Sequence, residues 1–535
     1  MQNSAGHDPD TMTDATAAND EQLADAAGDR ATALAWSGEY DAALAEARSA
    51  VDGYRRLVAR EPDVFLPDLA AALDSLASRS GEVGRRADAA DAAQESVALF
   101  RVLAGPALDR VHTYGRAHSD TDGPDAEESA LFIPYLAAAM SNLSVRQHES
   151  GDDTIALETA RESTALYRAL TTPIGQDVTQ PVIGGLLPDK LDHAHNSPLP
   201  LSEHSAGFAM ALGNLANRLD DAHQLDQALA ISGQAAAVYQ QLIVVDTDRF
   251  RPLLAQTINN RAVLLRESGE TAVAISTTRQ AVNLYRSLAA TQPQKYRDYL
   301  AMALGNLANM LTDAGRGRDA LAIAQEATEI YRQLAAETNT AETNTAETDT
   351  AEANSAAIDT GAATPQTTGA PTTPDNPYDA PLAMSLNNLA VHLSEADRKD
   401  EALTATREAS TLYRKLARRS PQVHLGNLAG TLTNLGSDLA AAGHAAEALA
   451  ATREAVDVTR RLAFGNRPAY LPQLAQAVNN LALRMHEAGR DSSALASARE
   501  CARLYEELAQ KDPDKYADAI ERTRELASFL ASEAV

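Results

Sequence analysis

The hydrophobic pattern is clearest near the end of the sequence, where two runs of apolar residues flank Gly489. In both runs the apolar positions recur at spacings of three and four, which is typical of amphipathic α-helices. The first run contains Leu474, Val478, Leu481 and Met485, and the second contains Ala494, Leu495, Ala498, Cys501, Leu504, Tyr505 and Leu508. Glycine ends a helix at low cost because it adopts the left-handed conformation freely. The pattern therefore predicts a helical hairpin, with a helix A followed by a helix B.

The same pattern recurs nine times along the chain. Aligned on the phrase Asn-Leu-Ala, the repeats share an anchor position, occupied by Asp29, Ser75, Asn142, Asn214, Asn260, Asn306, Asn388, Asn434 and Asn480. Five of the eight gaps between anchors are 46 residues, and the other three are longer by 21, 26 and 36 residues. An alanine follows every anchor by 14 residues, a small residue by 21, and an aromatic residue by 25 in every repeat but the eighth, which has Thr459. Arrays of this kind stack each repeat only on its neighbours.

Glycine and proline also recur at fixed distances from the anchor. Glycine follows the anchor by nine residues in seven repeats, which predicts the turn between helix A and helix B. Proline precedes the anchor by eight residues at Pro67, Pro134, Pro252 and Pro472. We expect these prolines in the first turn of helix A, where the missing N–H is not needed.

These columns resemble the tetratricopeptide repeat. Small residues after the anchor Leu, the Gly after helix A and the Ala of helix B carry the resemblance, and Asn387–Leu393 and Asn479–Met485 are similar to the long-helix repeats of kinesin light chains. The resemblance implies an all-α, right-handed α-solenoid of about nine helix-turn-helix repeats. The period of 46 residues exceeds the roughly 34 that are typical of the family, and extra helical turns are the simplest explanation.

The register also predicts how the chain is organised. We expect a disordered acidic tail (1–20), repeats 1–2 (21–106), an insertion (107–128), repeat 3 (129–171), an insertion (172–204), repeats 4–6 (205–336), a low-complexity disordered loop or linker (337–378), repeats 7–9 (379–514) and a capping helix (515–535). The low-complexity segment lacks the apolar surface needed to offset its ordering entropy. It is either a hinge before the last three repeats or a loop extruded from an unbroken stack.

Charge narrows the range of partners. The 535 residues contain 46 Lys and Arg against 74 Asp and Glu, a net charge of -28. Such a chain is repelled by phosphate backbones and by anionic membrane surfaces, so we expect neither nucleic acid nor membrane as a partner. The first twenty residues lack a basic and then apolar signal pattern, and a single cysteine excludes a disulfide framework. A cytoplasmic protein is the expectation.

Catalytic signatures are absent from the sequence. It contains no phosphate-binding glycine loop, no His-Glu-x-x-His and no Gly-x-Ser-x-Gly, so we expect no catalytic residue, no metal and no cofactor. His193 and His195 beside Asp192 have the right residue types for a metal ligand set, but a polar loop is the favoured interpretation. Cys501 occupies the small column and is expected to be packed.

The asparagine column is the main candidate site: Asn142, Asn214, Asn260, Asn306, Asn388, Asn434 and Asn480. The family resemblance implies that helix A lines a concave groove, where such an asparagine hydrogen-bonds the backbone of a bound peptide. An amide is suited to this because it both donates and accepts. The alternative is that each asparagine bonds a neighbouring helix, and the sequence favours neither interpretation.

An acidic column follows the anchor by seven residues: Glu82, Glu149, Asp221, Glu267, Asp313, Glu395 and Glu487. These acids stand at the end of helix A, where the helix dipole disfavours negative charge. They form either an acidic groove rim that attracts a basic partner, or solvated helix ends and partners of an Arg from the next repeat. The second interpretation is favoured because charged side chains usually face solvent.

The function that fits best is a non-catalytic scaffold that binds a protein or peptide, a basic one if the acidic rim is functional. An alternative is a regulator that switches on a small ligand or a signalling peptide. A remote alternative is an enzyme or metal protein that uses the histidines of the insertions.

Overall fold

The computed structural model describes residues 9–105, 107–108, 129–171, 204–360 and 376–533. Within them the protein is all-α and contains nineteen helices and no strand, which confirms the predicted fold class. Odd-numbered helices α1–α17 are the A helices of repeats 1–9, even-numbered helices are the B helices, and α19 follows the last repeat. The helices are α1 Pro9–Trp36, α2 Tyr40–Val58, α3 Pro62–Glu82, α4 Arg86–Leu103, α5 Ile133–Glu149, α6 Asp153–Thr171, α7 Ser205–Asp221, α8 Leu225–Val245, α9 Thr247–Glu267, α10 Thr271–Thr291, α11 Pro293–Asp313, α12 Gly317–Thr360, α13 Asp379–Glu395, α14 Lys399–Arg419, α15 Pro421–Ala441, α16 Ala445–Gly465, α17 Arg467–Glu487, α18 Asp491–Ala509 and α19 Pro513–Glu533.

The turn between helices A and B has the same backbone conformation in all nine repeats. Seven repeats place a glycine there with φ between 68° and 91°, as the sequence predicted. In the other two, His223 and Asp397 adopt φ of 57° at the equivalent position. This left-handed conformation is strained for residues with a Cβ atom, so the turn geometry is imposed by the packing of the two helices.

Long helices account for the 46-residue period. In repeat 5, Thr247–Glu267 and Thr271–Thr291 each have 21 residues, a three-residue turn joins them, and one residue precedes Pro293. The extra length corrects the prediction for the prolines. Pro134 lies at the start of its helix, but Pro67, Pro252 and Pro472 lie inside theirs, because an additional turn precedes them.

The small and aromatic columns hold the hairpins together. The Ser96 hydroxyl donates to the Ala70 carbonyl at 2.8 Å, and Ser163 to Ala137 at 2.7 Å, so helix B lies against the backbone of helix A. The aromatic residue of one repeat packs against the next: Phe100 stacks on Tyr135 with ring centroids 5.9 Å apart, and Tyr285 on Tyr299 at 5.7 Å. Each hairpin thus supplies part of its neighbour's core.

The chain divides into two compact halves, Met1–Thr277 and Thr278–Val535, and the division falls within α10. In both halves an arginine of one B helix pairs with a glutamate of the next B helix. We call this set the Arg–Glu ladder; its pairs are Arg55–Glu95 and Arg101–Glu162 in the first half, and Arg286–Glu326, Arg332–Glu408, Arg414–Glu454 and Arg460–Glu500 in the second. Exposed pairs of this kind each contribute little to stability, but they mark the stacking register.

Repeats 6 and 7 stack directly despite the low-complexity segment between them. The buried hydroxyls of Thr328 and Ser385 are 2.8 Å apart, and the Asn376 side chain donates to the Ala335 carbonyl at 2.7 Å. Leu386 and Leu389 of α13 share one core cluster with Leu334 of α12. Within the described residues, this arrangement is that of a loop extruded from an unbroken stack.

Two helices extend into segments for which the sequence predicted disorder. Helix α1 begins at Pro9, inside the expected tail, and α12 continues to Thr360, inside the expected loop. Both extensions contain alanine and acidic residues, and a helix propagates from an already formed end at a lower cost than it nucleates. Residues 1–8 and 361–375, and the insertions at 109–128 and 172–203, lie outside the described residues.

Helix α8, Leu225–Val245, is the one described helix long and apolar enough to cross a bilayer by length and composition, with a mean hydropathy of 1.4. Its apolar residues nevertheless serve the stack. Ile231, Ala235, Val238 and Tyr239 are buried, and the helix packs against α7 and α9. Polar residues such as Gln234, Gln240 and Gln241 interrupt the apolar run of this helix.

Candidate functional site

Three asparagines of the anchor column bond the preceding A helix. The Asn142 side chain donates to Asp74 Oδ1 at 2.9 Å, Asn214 to Ser141 Oγ at 2.8 Å, and Asn434 to Asn387 Oδ1 at 3.1 Å. In each case the acceptor is the residue just before the anchor of the preceding repeat. Each of these hydrogen bonds connects two successive A helices, and we call such a bond a rung. Rungs are the packing role that the sequence left open for the asparagine column.

Two asparagines lack such a rung because glycine stands at the acceptor position. Gly213 precedes the anchor Asn214, and Gly305 precedes Asn306, so neither offers a side chain to the following repeat. The partly buried amides of Asn260 and Asn388 accordingly have no hydrogen-bond partner within the described residues, and the same is true of Asn480. The anchor column therefore contains both structural and unoccupied amides, a distinction that the sequence pattern hides.

Two cavities open along the A helices of the second half. The smaller has a volume of about 100 Å³ and is lined by residues that include Met302, Asn306, Asn309, Met384, Asn388 and His392. The larger has a volume of about 370 Å³ and is lined by residues that include Asn387, Asn388, Asn427, Asn434, Gln473 and Gln476. Met384 and Asn388 line both. The two cavities therefore adjoin at α13 and lie along α11, α13, α15 and α17, and together we call them the amide groove.

His392 lies at the buried side of the smaller cavity and is only 4% exposed. Its Nδ1 atom is 3.0 Å from Thr312 Oγ1, whereas Nε2 is buried and has no partner within the described residues. Burial lowers the pKa of His392, and the Glu395 carboxylate, 4.0 Å from Nδ1, acts in the opposite direction. The imidazole is therefore held neutral beside the groove.

The acidic column is largely paired with arginine on its own helix. Four of the acids accept a salt bridge from an Arg three residues earlier: Arg79–Glu82 at 3.1 Å, Arg146–Glu149 at 2.8 Å, Arg218–Asp221 at 3.2 Å and Arg484–Glu487 at 3.0 Å. The arginines are 11–20% exposed, so they bring a mostly buried positive charge to the helix end. This pairing within the helix differs from the expected pairing with the next repeat.

Glu267 has a different environment from these four acids. Burial raises its pKa, and the neighbouring Asp220 raises it further, while Arg266 acts in the opposite direction. A carboxylate beside a second carboxylate is more easily protonated. The acidic column is thus not uniform, and its free charge is smaller than the sequence suggests.

The tetratricopeptide-repeat family model matches residues 300–336 and 428–463, which are parts of repeats 6 and 8. This protein contains tetratricopeptide repeats. Among curated proteins, no sequence matches the chain.

Several solved structures are similar to this chain at low sequence identity. BtubC (BKLC) from P. vanneervenii is 17% identical, with 54% of this chain and 89% of that chain covered and a TM-score of 0.36. Apo RapI is 12% identical, with coverage of 87% and 98% and a TM-score of 0.45. The Rap conjugation gene regulator of plasmid pLS20, solved with the Phr* peptide, is 14% identical, with coverage of 75% and 96% and a TM-score of 0.34.

The remaining sequence candidates lie away from the amide groove. Cys501 is fully buried in the tetratricopeptide core, its Sγ lies 3.2 Å from the Ala475 carbonyl, and burial raises its pKa to about 12, which confirms the packed role. Asp192, His193 and His195 lie outside the described residues. Among the side chains that are described, no group of three His, Cys, Asp or Glu residues is arranged to hold a metal.

Two sets of residues that decide the roles of the acidic and asparagine columns were missed by the sequence analysis. The arginines of the acid pairs stand four residues after the anchor, and the same alignment would have shown them as a column. Gly213 and Gly305 were also visible, but their meaning depends on which residue faces the next asparagine. That contact crosses from one helix to another and has no signal within a single repeat.

Proposed function

We propose that this protein is a non-catalytic scaffold whose amide groove binds an extended segment of a partner protein or peptide. The observation that carries the proposal is the free amide of Asn388, which lines both cavities and has no partner within the described residues. An unpaired amide offers a donor and an acceptor together, as a peptide unit does. The groove therefore supports recognition of a main chain in extended conformation.

Charge has a smaller part in this proposal than in the sequence-based expectation. On the helices of the amide groove, Glu487 of the acidic column already pairs with Arg484 of its own helix. A basic partner gains little from carboxylates that are already neutralised at close range. We therefore assign the recognition to hydrogen bonds with the partner's backbone.

The test compares two asparagines of the same column. The Asn388→Ala substitution removes a free amide, so it should reduce the retention of synthetic extended peptides by the purified full chain while leaving the melting temperature unchanged. The Asn142→Ala substitution removes a rung, so it should lower the unfolding free energy by about 1 kcal/mol for each net hydrogen bond lost and leave peptide retention unchanged. Retention is measured by mass spectrometry of peptides eluted from immobilised protein.

The two variants separate binding from packing because both replace an anchor asparagine with alanine. If Asn388→Ala retained peptides as the wild type does, the groove would not be the binding surface. If both variants lost stability equally and neither changed retention, the whole column would serve packing alone.

A further inference from the structure

The larger cavity is lined by three small residues of repeat 8, one of which departs from the aromatic column. Thr459 stands where the other eight repeats have an aromatic ring, and it is buried at 1% exposure. Gly430 stands where repeats 4, 6 and 7 have Met210, Met302 and Met384. Gly426 stands one helical turn earlier on the same helix. All three small residues line the cavity, and a Cβ atom built on Gly430 would meet nothing within 4 Å.

The size of the opening follows from the contacts that the missing groups make in other repeats. In repeat 6 the Tyr331 hydroxyl reaches the Asp298 carbonyl at 3.4 Å, so the ring crosses from helix B to the face of helix A. The positions equivalent to Tyr331 and Asp298 in repeat 8 are Thr459 and Gly426. Tyr470 covers the side of Gly426, where a Cβ atom would lie 3.7 Å from its hydroxyl, and the space that a ring at position 459 would take is open to a group from outside the chain.

The lining of this cavity is uncharged. It contains the amides of four residues that have no hydrogen-bond partner within the described part of the chain: Asn388, Asn427, Gln473 and Gln476. The bond from Asn434 Nδ2 to Asn387 Oδ1 leaves the Asn387 nitrogen and the Asn434 oxygen available. Asn427, Gln473 and Gln476 are exposed, so a charged group keeps part of its hydration here but finds no counter-ion, whereas a group with both donor and acceptor can bond the amides on both sides.

We infer that this cavity accepts an uncharged amide side chain, Asn or Gln, of the bound segment; the inference rests on the proposed function. An amide pairs with another amide through one N–H and one C=O on each side, which matches the chemistry of the lining. The volume of about 370 Å³ holds such a side chain together with the adjoining backbone. A ligand tyrosine would fill the space of the missing ring but would leave most of the lining amides unpaired.

The experiment measures which residue is selected at each position of the peptide. A library of acetylated and amidated nonapeptides, randomised at every position, is passed over the immobilised full chain, and the retained peptides are sequenced by mass spectrometry. The wild type should enrich Asn or Gln about three- to tenfold at one position, as one or two net hydrogen bonds would produce. The double variant Gly430→Met with Thr459→Tyr should abolish this enrichment, because it restores residues that other repeats carry at those positions.

Two further variants serve as controls for the double variant. Ala138→Met adds the same side chain at the equivalent position of repeat 3 and should leave the enrichment as in the wild type. If the double variant does not fold, Gln476→Leu at an exposed position should reduce the enrichment instead. The inference is wrong if the wild type enriches charged or aromatic residues, or if the wild type and the double variant enrich Asn and Gln equally. Either result would leave the proposed function standing. Retention of no peptide by the wild type overturns the proposed function and this inference with it.

Discussion

The guanidinium of Arg332 lies 3.0 Å from the carboxylate of Glu408, although the two residues are 76 positions apart in the chain. Arg414 of repeat 7 and Glu454 of repeat 8 hold the equivalent positions. They are 40 positions apart in the sequence, and their charged groups are 2.7 Å apart. The difference of 36 equals the excess over 46 residues of the gap between the anchors Asn306 and Asn388. The ladder therefore follows spatial neighbours, and the insertion leaves the stack unchanged.

Removing the insertion should leave the stack intact. Because Asn376 bonds the Ala335 carbonyl at 2.7 Å, the two ends of the segment lie close together. We predict that replacing residues 341–375 with a short Gly-Ser linker keeps or raises the melting temperature, since each halving of a loop reduces its closure cost by about 0.6 kcal/mol. Differential scanning calorimetry tests this. A new early transition would show that the insertion itself holds repeats 6 and 7 together.

A side chain at position 305 should hydrogen-bond Asn388 and so form the rung that is missing there. We predict that Gly305→Asn supplies an acceptor such as the one Asn387 gives to Asn434, raises the melting temperature and reduces peptide retention by the amide groove. The introduced Cβ atom meets nothing within 4 Å, so the substitution fits. Replacing a helical glycine also favours the folded helix by several tenths of a kcal/mol.

The matched control is Gly213→Asn, which faces Asn260 in the first half of the chain and is equally open around its Cβ position. It should raise the melting temperature and leave peptide retention as in the wild type. Thermal denaturation and peptide elution measure the two effects. Equal loss of retention in both variants would place the binding surface outside the amide groove.

The two strained turns should become more stable with glycine. Asp397 and His223 have φ of 57°, where glycine has no steric penalty. We predict that Asp397→Gly and His223→Gly each raise the unfolding free energy by about 0.5–1 kcal/mol, less the entropy that glycine adds to the unfolded chain. The reverse substitution Gly443→Ala, at φ of 82°, should destabilise. Urea titration measures all three, and a stabilised Gly443→Ala variant would contradict the explanation.

Stability should depend on pH through His392. Its pKa is lowered in the folded state from the ordinary 6.5, so the unfolded chain takes up the extra proton first as pH falls. The contribution to stability is complete above pH 6.5 and decreases below it, down to the lowered pKa of the folded state. We predict that His392→Gln reduces the loss of unfolding free energy between about pH 7.5 and about pH 5. Equal losses in wild type and variant, measured by urea titration at both pH values, would assign the dependence to other groups.

Much of the fold was predictable because one helical-hairpin pattern recurs nine times in the sequence. Gly38 or Gly443 alone is a weak turn signal, but seven glycines in one register predict the hairpin turn, and the structure confirms it. The small and aromatic columns recur in the same register, and the structure shows their contacts in the hydrogen bond of Ser96 and the stacking of Tyr285. The helix extension that places Pro67 inside α3 was not predictable, since a proline fixes a local dihedral angle and not the point where the helix begins.

The site was less predictable than the fold. A column of asparagines predicts a conserved geometry along the helices, but the role of each amide depends on the residue opposite it in another repeat. Asn434 faces Asn387 and is bonded, whereas the equivalent neighbour of Asn388 is Gly305. The cavity of repeat 8 was signalled by Thr459, the exception in the aromatic column. Its shape also needed Gly426 and Gly430, whose effect appears only when the helices are packed.

The aromatic column also gives this protein an optical signal for the integrity of individual repeats. Burial raises the pKa of Tyr167, Tyr239 and Tyr413 to about 12, above the ordinary value of 10. At a pH between those values a tyrosine of an intact repeat stays neutral, whereas one in an unfolded repeat ionises and absorbs as tyrosinate. Repeat 2, with Phe100, and repeat 8, with Thr459, contribute no signal from this column. Single Tyr→Phe substitutions would therefore assign the absorbance at alkaline pH to individual repeats and show the order in which those repeats unfold.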